Sequence, residues 1–135
     1  MPGGGTALGF AYFGAVKLAG YTAAGYLIRK RLRTDRPHPA VFGAARTVLG
    51  VAVGVSFATF GLNLGLKQSE VAFYLAMLPV RLAEWLLILW WFFGRAGLKG
   101  ARWVGYSATG SVWSYLLDVP AIAAMFIIPG GAWIC

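Results

Sequence analysis

Residues 71–93 of the chain read VAFYLAMLPVRLAEWLLILWWFF, a long apolar stretch whose charged residues are Arg81 and Glu84. A transmembrane helix needs roughly 20 predominantly apolar residues, so this stretch is long enough to cross a bilayer. Three other stretches of the chain have a similar length and composition. The four candidate spans are residues 6–28, 40–64, 71–93 and 103–128. The sequence therefore predicts an all-α membrane protein with four transmembrane helices.

The composition of the whole chain supports this class. Of its 135 residues, 59% are hydrophobic and 12% are charged, and the mean hydropathy is +0.70. About a quarter of the residues of an ordinary soluble domain are charged. The four spans leave short connections, with no room for a separate soluble catalytic domain. We therefore expect residues 1–135 to form a single transmembrane domain.

Basic residues are concentrated in the first and third connections, whereas the second connection carries Lys67. The positive-inside rule then places the first and third connections in the cytoplasm and both termini on the outer side, an N-out/C-out topology. We expect the basic residues to contact anionic lipid at the surface of a membrane such as the bacterial inner membrane. They are Arg29, Lys30, Arg31 and Arg33 in the first connection, and Arg95, Lys99 and Arg102 in the third. The same reading accounts for the net charge of +8 without nucleic acid as a partner.

Four charged residues lie near the middle of a span: Lys17, Arg81, Glu84 and Asp118. Insertion scales put a central Lys, Arg or Asp at about 2.5 to 3.5 kcal/mol each, so such groups normally face inward and pair with one another. We expect Lys17 to pair with Asp118. Arg81 and Glu84 are three residues apart on one helix face and are expected to pair within that helix.

The fourth span carries a polar face around Asp118. Residues spaced by three and four positions on a helix share a face, and this spacing groups Ser111, Ser114, Tyr115 and Asp118. Pro120 follows two residues later and is expected to bend the helix, which leaves a backbone carbonyl without its amide partner. Bent or broken helices beside a charge form ion and substrate sites in transporters. In this interpretation Asp118 titrates or coordinates a ligand.

Arg46 lies about two turns inside the second span and has two possible environments. In the first, its long side chain reaches the lipid phosphates. In the second, it turns inward, toward Glu84 or Asp118 or a bound anion. Counting Arg46 with Lys17 and Arg81 gives three positive charges against two carboxylates. One positive charge is then left over, and lipid phosphate, a shared carboxylate or an anionic ligand could balance it.

Glycines predict where helices approach one another closely. Glycines spaced by four positions in the second span, and a stripe of small residues on the face of Lys17 in the first, are packing signatures of membrane helices. We expect them to pack within the bundle, or between copies of the chain or larger membrane subunits. The glycines concerned are Gly14 and Gly20 in the first span, and Gly50, Gly54, Gly61 and Gly65 in or just beyond the second.

No cofactor or metal is expected, and enzyme activity is the less favoured interpretation. The chain has one histidine, His38, and one cysteine, Cys135, which is too few for a haem or zinc site built by one protomer. Many-carboxylate metal motifs cannot be assembled from four acidic residues. A small lipid-modifying enzyme stays an alternative, with Asp118 or Glu84 as a base and arginines on the lipid phosphate.

The sequence favours a transporter or channel for an ion or small polar solute over two alternatives. The first alternative is a non-catalytic accessory or assembly subunit of a larger membrane complex, in which the charge pairs are static. The second is the lipid-modifying enzyme. The residues expected along an ion or ligand path are Asp118, Lys17, Arg81, Glu84, Arg46, Tyr115, Ser114 and Ser111.

Overall fold

The computed structural model of the chain describes residues 7–63 and 70–124. These residues form helices joined by turns, and no strand occurs among them. The prediction of an all-α chain with four long helices is confirmed for this part of the molecule. The elements are α1 (Ala7–Leu32), α2 (Pro39–Asn63), α3 (Glu70–Phe93), a short 3-10 helix (Gly94–Ala96) and α4 (Gly100–Ala124). Helix α4 begins three residues before the predicted fourth span.

Local sequence explains how the chain turns between α1 and α2. The backbone leaves α1 at Arg33, which adopts a left-handed conformation with φ 52°. Pro39 is the first residue of α2, a position where proline fits because no helical hydrogen bond is lost. The Nδ1 atom of His38 accepts a hydrogen bond from the Ala40 amide at 3.3 Å. His38 and Pro39 thus begin the second helix.

A glycine in the left-handed region ends the 3-10 helix that follows α3. Gly97 has φ 86°, and its amide donates to the carbonyl of Gly94 at 3.4 Å. Residues with a Cβ are disfavoured at this φ. The glycine lets the chain reverse direction within residues 94–99 and enter α4.

The four helices pack as two hairpins. Helix α1 packs against α2 and helix α3 against α4, and the two hairpins meet through contacts of α1 with α4 and of α2 with α3. A cleft of about 1420 Å³ is lined by both hairpin connections, so the two connections lie at the same end of the bundle. We call this the connected end.

Aromatic side chains fill the core between the buried charges and the connected end. Phe42 lies 6.0 Å from Trp85 and 5.6 Å from Phe93 between ring centroids. Glycines make room for these contacts: a Cβ on Gly25 would lie 2.7 Å from the Phe42 ring, and one on Gly110 would collide with the Trp85 ring. The predicted packing glycines did not include these two.

The predicted packing glycines have mixed outcomes. Gly20 lies against Leu117, as a close contact between α1 and α4 requires. Gly50 and Gly54 are buried within the bundle. No described atom lies within 4 Å of the position of a Cβ at Gly14, so packing of this glycine against another copy or subunit stays a prediction. Gly61 lies in the last turn of α2 without a described environment, and Gly65 lies outside the described residues.

Large apolar side chains lie on the outside of all four helices, while five charged side chains are buried inside the bundle. Two helices are long and apolar enough to cross a membrane, over Pro39–Phe57 in α2 and Leu75–Phe93 in α3. Helices α1 and α4 carry more small and polar residues. Exposed apolar residues include Leu18 and Leu27 on α1, Val48 and Val55 on α2, Leu78 and Leu87 on α3, and Val112 and Leu116 on α4.

Candidate functional site

Five charged side chains lie together inside the bundle, and we call them the charged cluster. All are nine-tenths or more buried, and Arg46 and Arg81 are each 1% exposed. Each of the four helices contributes at least one member. The members are Lys17 from α1, Arg46 from α2, Arg81 and Glu84 from α3, and Asp118 from α4.

Asp118 is shared between two cations. Its Oδ1 atom accepts a hydrogen bond from Lys17 Nζ at 2.5 Å, and its Oδ2 atom accepts one from Arg81 Nη2 at 2.5 Å. Lys17 Nζ also donates to the backbone carbonyl of Ser114 at 3.3 Å. One carboxylate of α4 therefore joins α1 to α3, and the predicted pairing of Lys17 with Asp118 is confirmed.

Arg46 turns inward and pairs with Glu84. Its Nη2 atom donates to Glu84 Oε2 at 2.7 Å. The alternative in which Arg46 reaches the lipid phosphates is therefore wrong, since its side chain is enclosed by the bundle. Glu84 is also within electrostatic reach of Arg81 and Lys17.

The predicted pairing of Arg81 with Glu84 within one helix is wrong. Although the two residues are three positions apart, the Arg81 guanidinium forms its ion pair with Asp118, and Glu84 forms its ion pair with Arg46. Both side chains are long enough to reach a neighbouring helix. Pairing across helices gives each buried charge a partner and ties the helices together, whereas a pair within α3 would leave Arg46 without a carboxylate.

The charged cluster has two layers along the bundle. At a rise of 1.5 Å per residue, Lys17 and Arg81 lie roughly 20 Å from the helix ends at the connected end, near the middle of their helices. By the same measure Arg46 lies about 10 Å and Glu84 about 14 Å from that end. The Lys17, Arg81 and Asp118 layer is thus the deeper one.

Ser114 links the two layers through neutral hydrogen bonds. Its Oγ atom accepts one from the hydroxyl of Tyr21 at 3.1 Å and one from Trp85 Nε1 at 2.9 Å. Ser111 is buried as well, but its hydroxyl donates to the carbonyl of Ser107 in its own helix at 2.9 Å. Ser114 is therefore part of the site. The hydrogen bond of the Ser111 hydroxyl joins two residues of α4 and does not involve the charged cluster.

Aromatic rings cover the cationic groups. The guanidinium carbon of Arg46 lies 4.9 Å from the Tyr21 ring centroid and 5.2 Å from that of Trp85. That of Arg81 lies 4.1 Å from the Tyr115 ring centroid. Such cation–π contacts stabilise a cation through its flat face and leave the in-plane N–H groups available. The predicted site residue Tyr115 therefore lies in the site.

Four nitrogen atoms of the two arginines have no hydrogen-bond acceptor among the described residues. They are the Nε and Nη1 groups of Arg46 and of Arg81, and all four are buried. A buried polar group without a partner costs about 1–3 kcal/mol, and more when it is charged. The cluster also holds three cations and two carboxylates. It therefore has more positive charge and more donors than its own acceptors satisfy.

The predicted lipid-contacting residues lie at the connected end. Lys30, Arg31, Arg33, Arg95, Lys99 and Arg102 are exposed, and Arg29 is half-buried. Arg31 and Arg102 stand at one groove of about 550 Å³ between α1 and α4, whose apolar part includes Leu27 and Trp113. The deep end of the groove reaches Trp85, next to the charged cluster.

Sequence reasoning missed the roles of Tyr21, Trp85 and Ser107. Tyr21 lies four residues after Lys17 and Trp85 four residues after Arg81, so each shares a helix face with a buried charge. That spacing is the signal that could have identified them. Ser107 is fully buried, and it lies four residues before Ser111 on the same face.

No family model, curated protein or solved structure matches the chain. Among the described residues, no three His, Cys, Asp or Glu side chains lie close enough to hold a metal ion. The fold and site define a helical bundle with a buried charged centre.

Proposed function

We propose that all four helices cross a membrane. The support is the reversed distribution of side chains, because every helix has large apolar residues outside and at least one charged residue inside. Soluble proteins rarely expose large contiguous apolar surfaces, and they bury Lys, Arg, Asp or Glu fully only when these are paired. In a bilayer, apolar side chains face lipid favourably, and charged side chains are placed inside the bundle because exposing them to lipid is costly. Helices α1 and α4 share this distribution with the two helices that have the composition of membrane spans.

We further propose the N-out/C-out orientation. The two hairpin connections lie at one end of the bundle and carry exposed basic residues, which the positive-inside rule places in the cytoplasm. This is the orientation expected in the bacterial inner membrane. Anionic lipid is the partner that we infer for this end: the groove between α1 and α4 has Arg31 and Arg102 for a phosphate, with apolar residues beside them for an acyl chain.

For the site, we propose that the protein binds and conducts an ion or a small polar solute through the charged cluster. The observation that carries this proposal is the burial of five charges inside the bundle, with N–H groups left over after every ion pair has formed. Charges that only hold helices together are expected to be balanced. An excess of donors is expected where a ligand binds or passes.

The experiment is solute flux into liposomes that contain the purified protein. Anions, cations and neutral polar solutes are tested one by one, with wild type, Lys17→Met and Lys30→Met. Both substitutions remove one lysine from α1, but Lys17 is in the charged cluster and Lys30 is exposed. We expect wild type and Lys30→Met to conduct one class of solute and Lys17→Met to lose that flux. A wild-type flux no greater than that of empty liposomes contradicts the proposal.

A second candidate function, an assembly subunit, is favoured by a different observation. The ion pairs of Asp118 join α1, α3 and α4, and the pair of Arg46 with Glu84 joins α2 to α3. Charges used in this way fix the positions of helices for contact with a second copy or a larger subunit. Native mass spectrometry of the protein released gently from its membrane separates the candidates, because a stoichiometric larger partner together with absent flux favours assembly.

A further inference from the structure

The charged cluster has hydrogen-bond donors that its own ion pairs do not use. Its ion pairs use Nη2 of Arg46 and Nη2 of Arg81, while Nε and Nη1 of each arginine remain without an acceptor among the described residues. Aromatic rings cover the flat faces of both guanidinium groups. The Nε–H and Nη1–H groups lie on different sides of each guanidinium plane's rim, so they remain as separate donors for an anion.

Both arginines lie on the same side of α3. Arg81 is a residue of α3, and Arg46 is held by Glu84, one turn further along that helix. Residues three apart on a helix are neighbours, about 5–6 Å between Cβ atoms. Arg81 and Glu84, the carboxylate that holds Arg46, therefore occupy one turn of α3, and the two guanidinium groups belong to neighbouring layers of the charged cluster.

The charge of the ligand follows from the count of ionic groups. Lys17, Arg46 and Arg81 are balanced by two carboxylates, which leaves one positive charge inside the bundle. An uncompensated buried charge is unfavourable, and a single negative charge would remove it. A divalent anion would leave the cluster with one excess negative charge in place of one excess positive charge.

Gly50 shows how little room there is beside Arg46. A Cβ at Gly50 would lie 3.0 Å from Nη1 of Arg46, one of the unpaired atoms. The missing side chain of this glycine thus makes room for the guanidinium edge. The limited room indicates a small ligand.

We propose that the charged cluster binds one small monovalent anion, such as a small carboxylate, nitrate or a halide, through the unpaired N–H groups of Arg46 and Arg81. This inference rests on the proposed function and names the substrate class of the same site. Lys17 supplies the third positive charge, so that the occupied cluster is neutral. The three cations thus divide into two that touch the anion and one that balances the charge.

The test uses the whole protein in nanodiscs of phosphatidylcholine, which has no net charge to compete. Sodium formate, nitrate, chloride and sulfate are each exchanged against sodium gluconate at constant ionic strength, and the midpoint of thermal unfolding is recorded. A ligand that binds the native state raises this midpoint as its concentration rises above its Kd. We expect formate, nitrate or chloride to raise it for wild type, and sulfate to have a smaller effect.

Variants separate the anion site from a general effect of salt. Lys17→Met removes the excess charge and should abolish the shift, while Lys30→Met should keep it. Arg46→Lys and Arg81→Lys keep the charge but lose the guanidinium edge, and each should weaken the affinity at least tenfold. Gly50→Ala should also weaken it, because the added methyl group displaces Nη1 of Arg46. Circular dichroism and size-exclusion profiles select the variants that fold.

Three results overturn the inference: no shift with any monovalent anion for wild type, an equal shift for Lys17→Met, or full affinity in either arginine variant. A greater shift with sulfate overturns the monovalent assignment. These outcomes differ from those of the flux experiment. Flux of a cation or neutral solute without an anion-dependent shift overturns the anion site and leaves conduction standing. An anion-dependent shift without flux supports the anion site and overturns conduction.

Discussion

Asp118 holds two cations from different helices with its two carboxylate oxygens, and this makes the members of the charged cluster unequal. If Asp118 is removed, both Lys17 and Arg81 lose their ion pair. If Lys17 is removed, Asp118 keeps Arg81. Substitutions of two residues that contact each other should therefore have very different effects on stability.

We predict that Asp118→Asn lowers the free energy of unfolding by about 3–5 kcal/mol, the usual effect of leaving buried charges without their partner. The measurement is unfolding in mixed micelles with increasing SDS, together with the yield of monodisperse protein. Lys17→Met is the matched variant. It should unfold at a similar or higher SDS fraction than wild type, because an apolar side chain of similar length replaces a buried charge. Equal destabilisation by both variants would contradict the shared carboxylate.

Ser114 gives a second prediction at this scale. Ser114→Ala removes the acceptor of the Tyr21 hydroxyl and of the Trp85 indole N–H, and should lower the free energy of unfolding by about 1–3 kcal/mol. Ser111→Ala is its control on the same helix, since that hydroxyl donates to a backbone carbonyl of its own helix. The same SDS titration tests both. Similar midpoints for the two variants would exclude a special role for Ser114.

The helices themselves are largely predictable from the sequence. Long apolar stretches predicted their positions, and proline and glycine explain two of the turns between them. Contacts between helices were predictable to a smaller extent. Small residues indicate that another helix can come close, but they do not indicate which residue will occupy the space. Gly20 and Gly14 share one face of α1, yet in the described structure only Gly20 has a close neighbour at its Cβ position.

At the element scale we predict opposite effects for alanine at two helical glycines. Gly110→Ala places a methyl group against the Trp85 ring, so that α3 and α4 must move apart, and should cost about 1–3 kcal/mol. Gly14→Ala meets no described atom and should be neutral or stabilising by up to about 1 kcal/mol through helix propensity. Thermal unfolding of the purified variants measures both effects. A stable Gly110→Ala variant would mean that Trp85 does not pack against this glycine.

At the scale of the whole molecule, the charges near the middle of the helices are inside the bundle, and large apolar side chains are outside. This distribution supports the proposed bilayer as the surrounding solvent. In that placement, the exposed basic residues of the connected end set the proposed orientation. Orientation is therefore a property of the whole molecule, and it can be tested without knowledge of the ligand.

We predict that the cysteine at position 135 reacts with a membrane-impermeant maleimide added to intact cells, because the proposed N-out/C-out topology places the C-terminus outside. The matched control is Cys135→Ser with Thr34→Cys, which moves the thiol to the first connection. This variant should be labelled only after the membrane is permeabilised. Labelling is measured as an increase in protein mass. Labelling of position 34 but not of position 135 in intact cells would overturn the orientation.

The sequence alone predicts the four long helices, the inward position of all four mid-helix charges and the excess of one positive charge. These properties follow from local composition and from the high cost of exposing charge to lipid. The tertiary structure decided the partners: Arg46 with Glu84, Arg81 with Asp118, and Ser114 with Tyr21 and Trp85. The physical reason is that long side chains can reach several helices. Which carboxylate is nearest depends on the rotation and packing of those helices, and spacing along one chain does not contain that information.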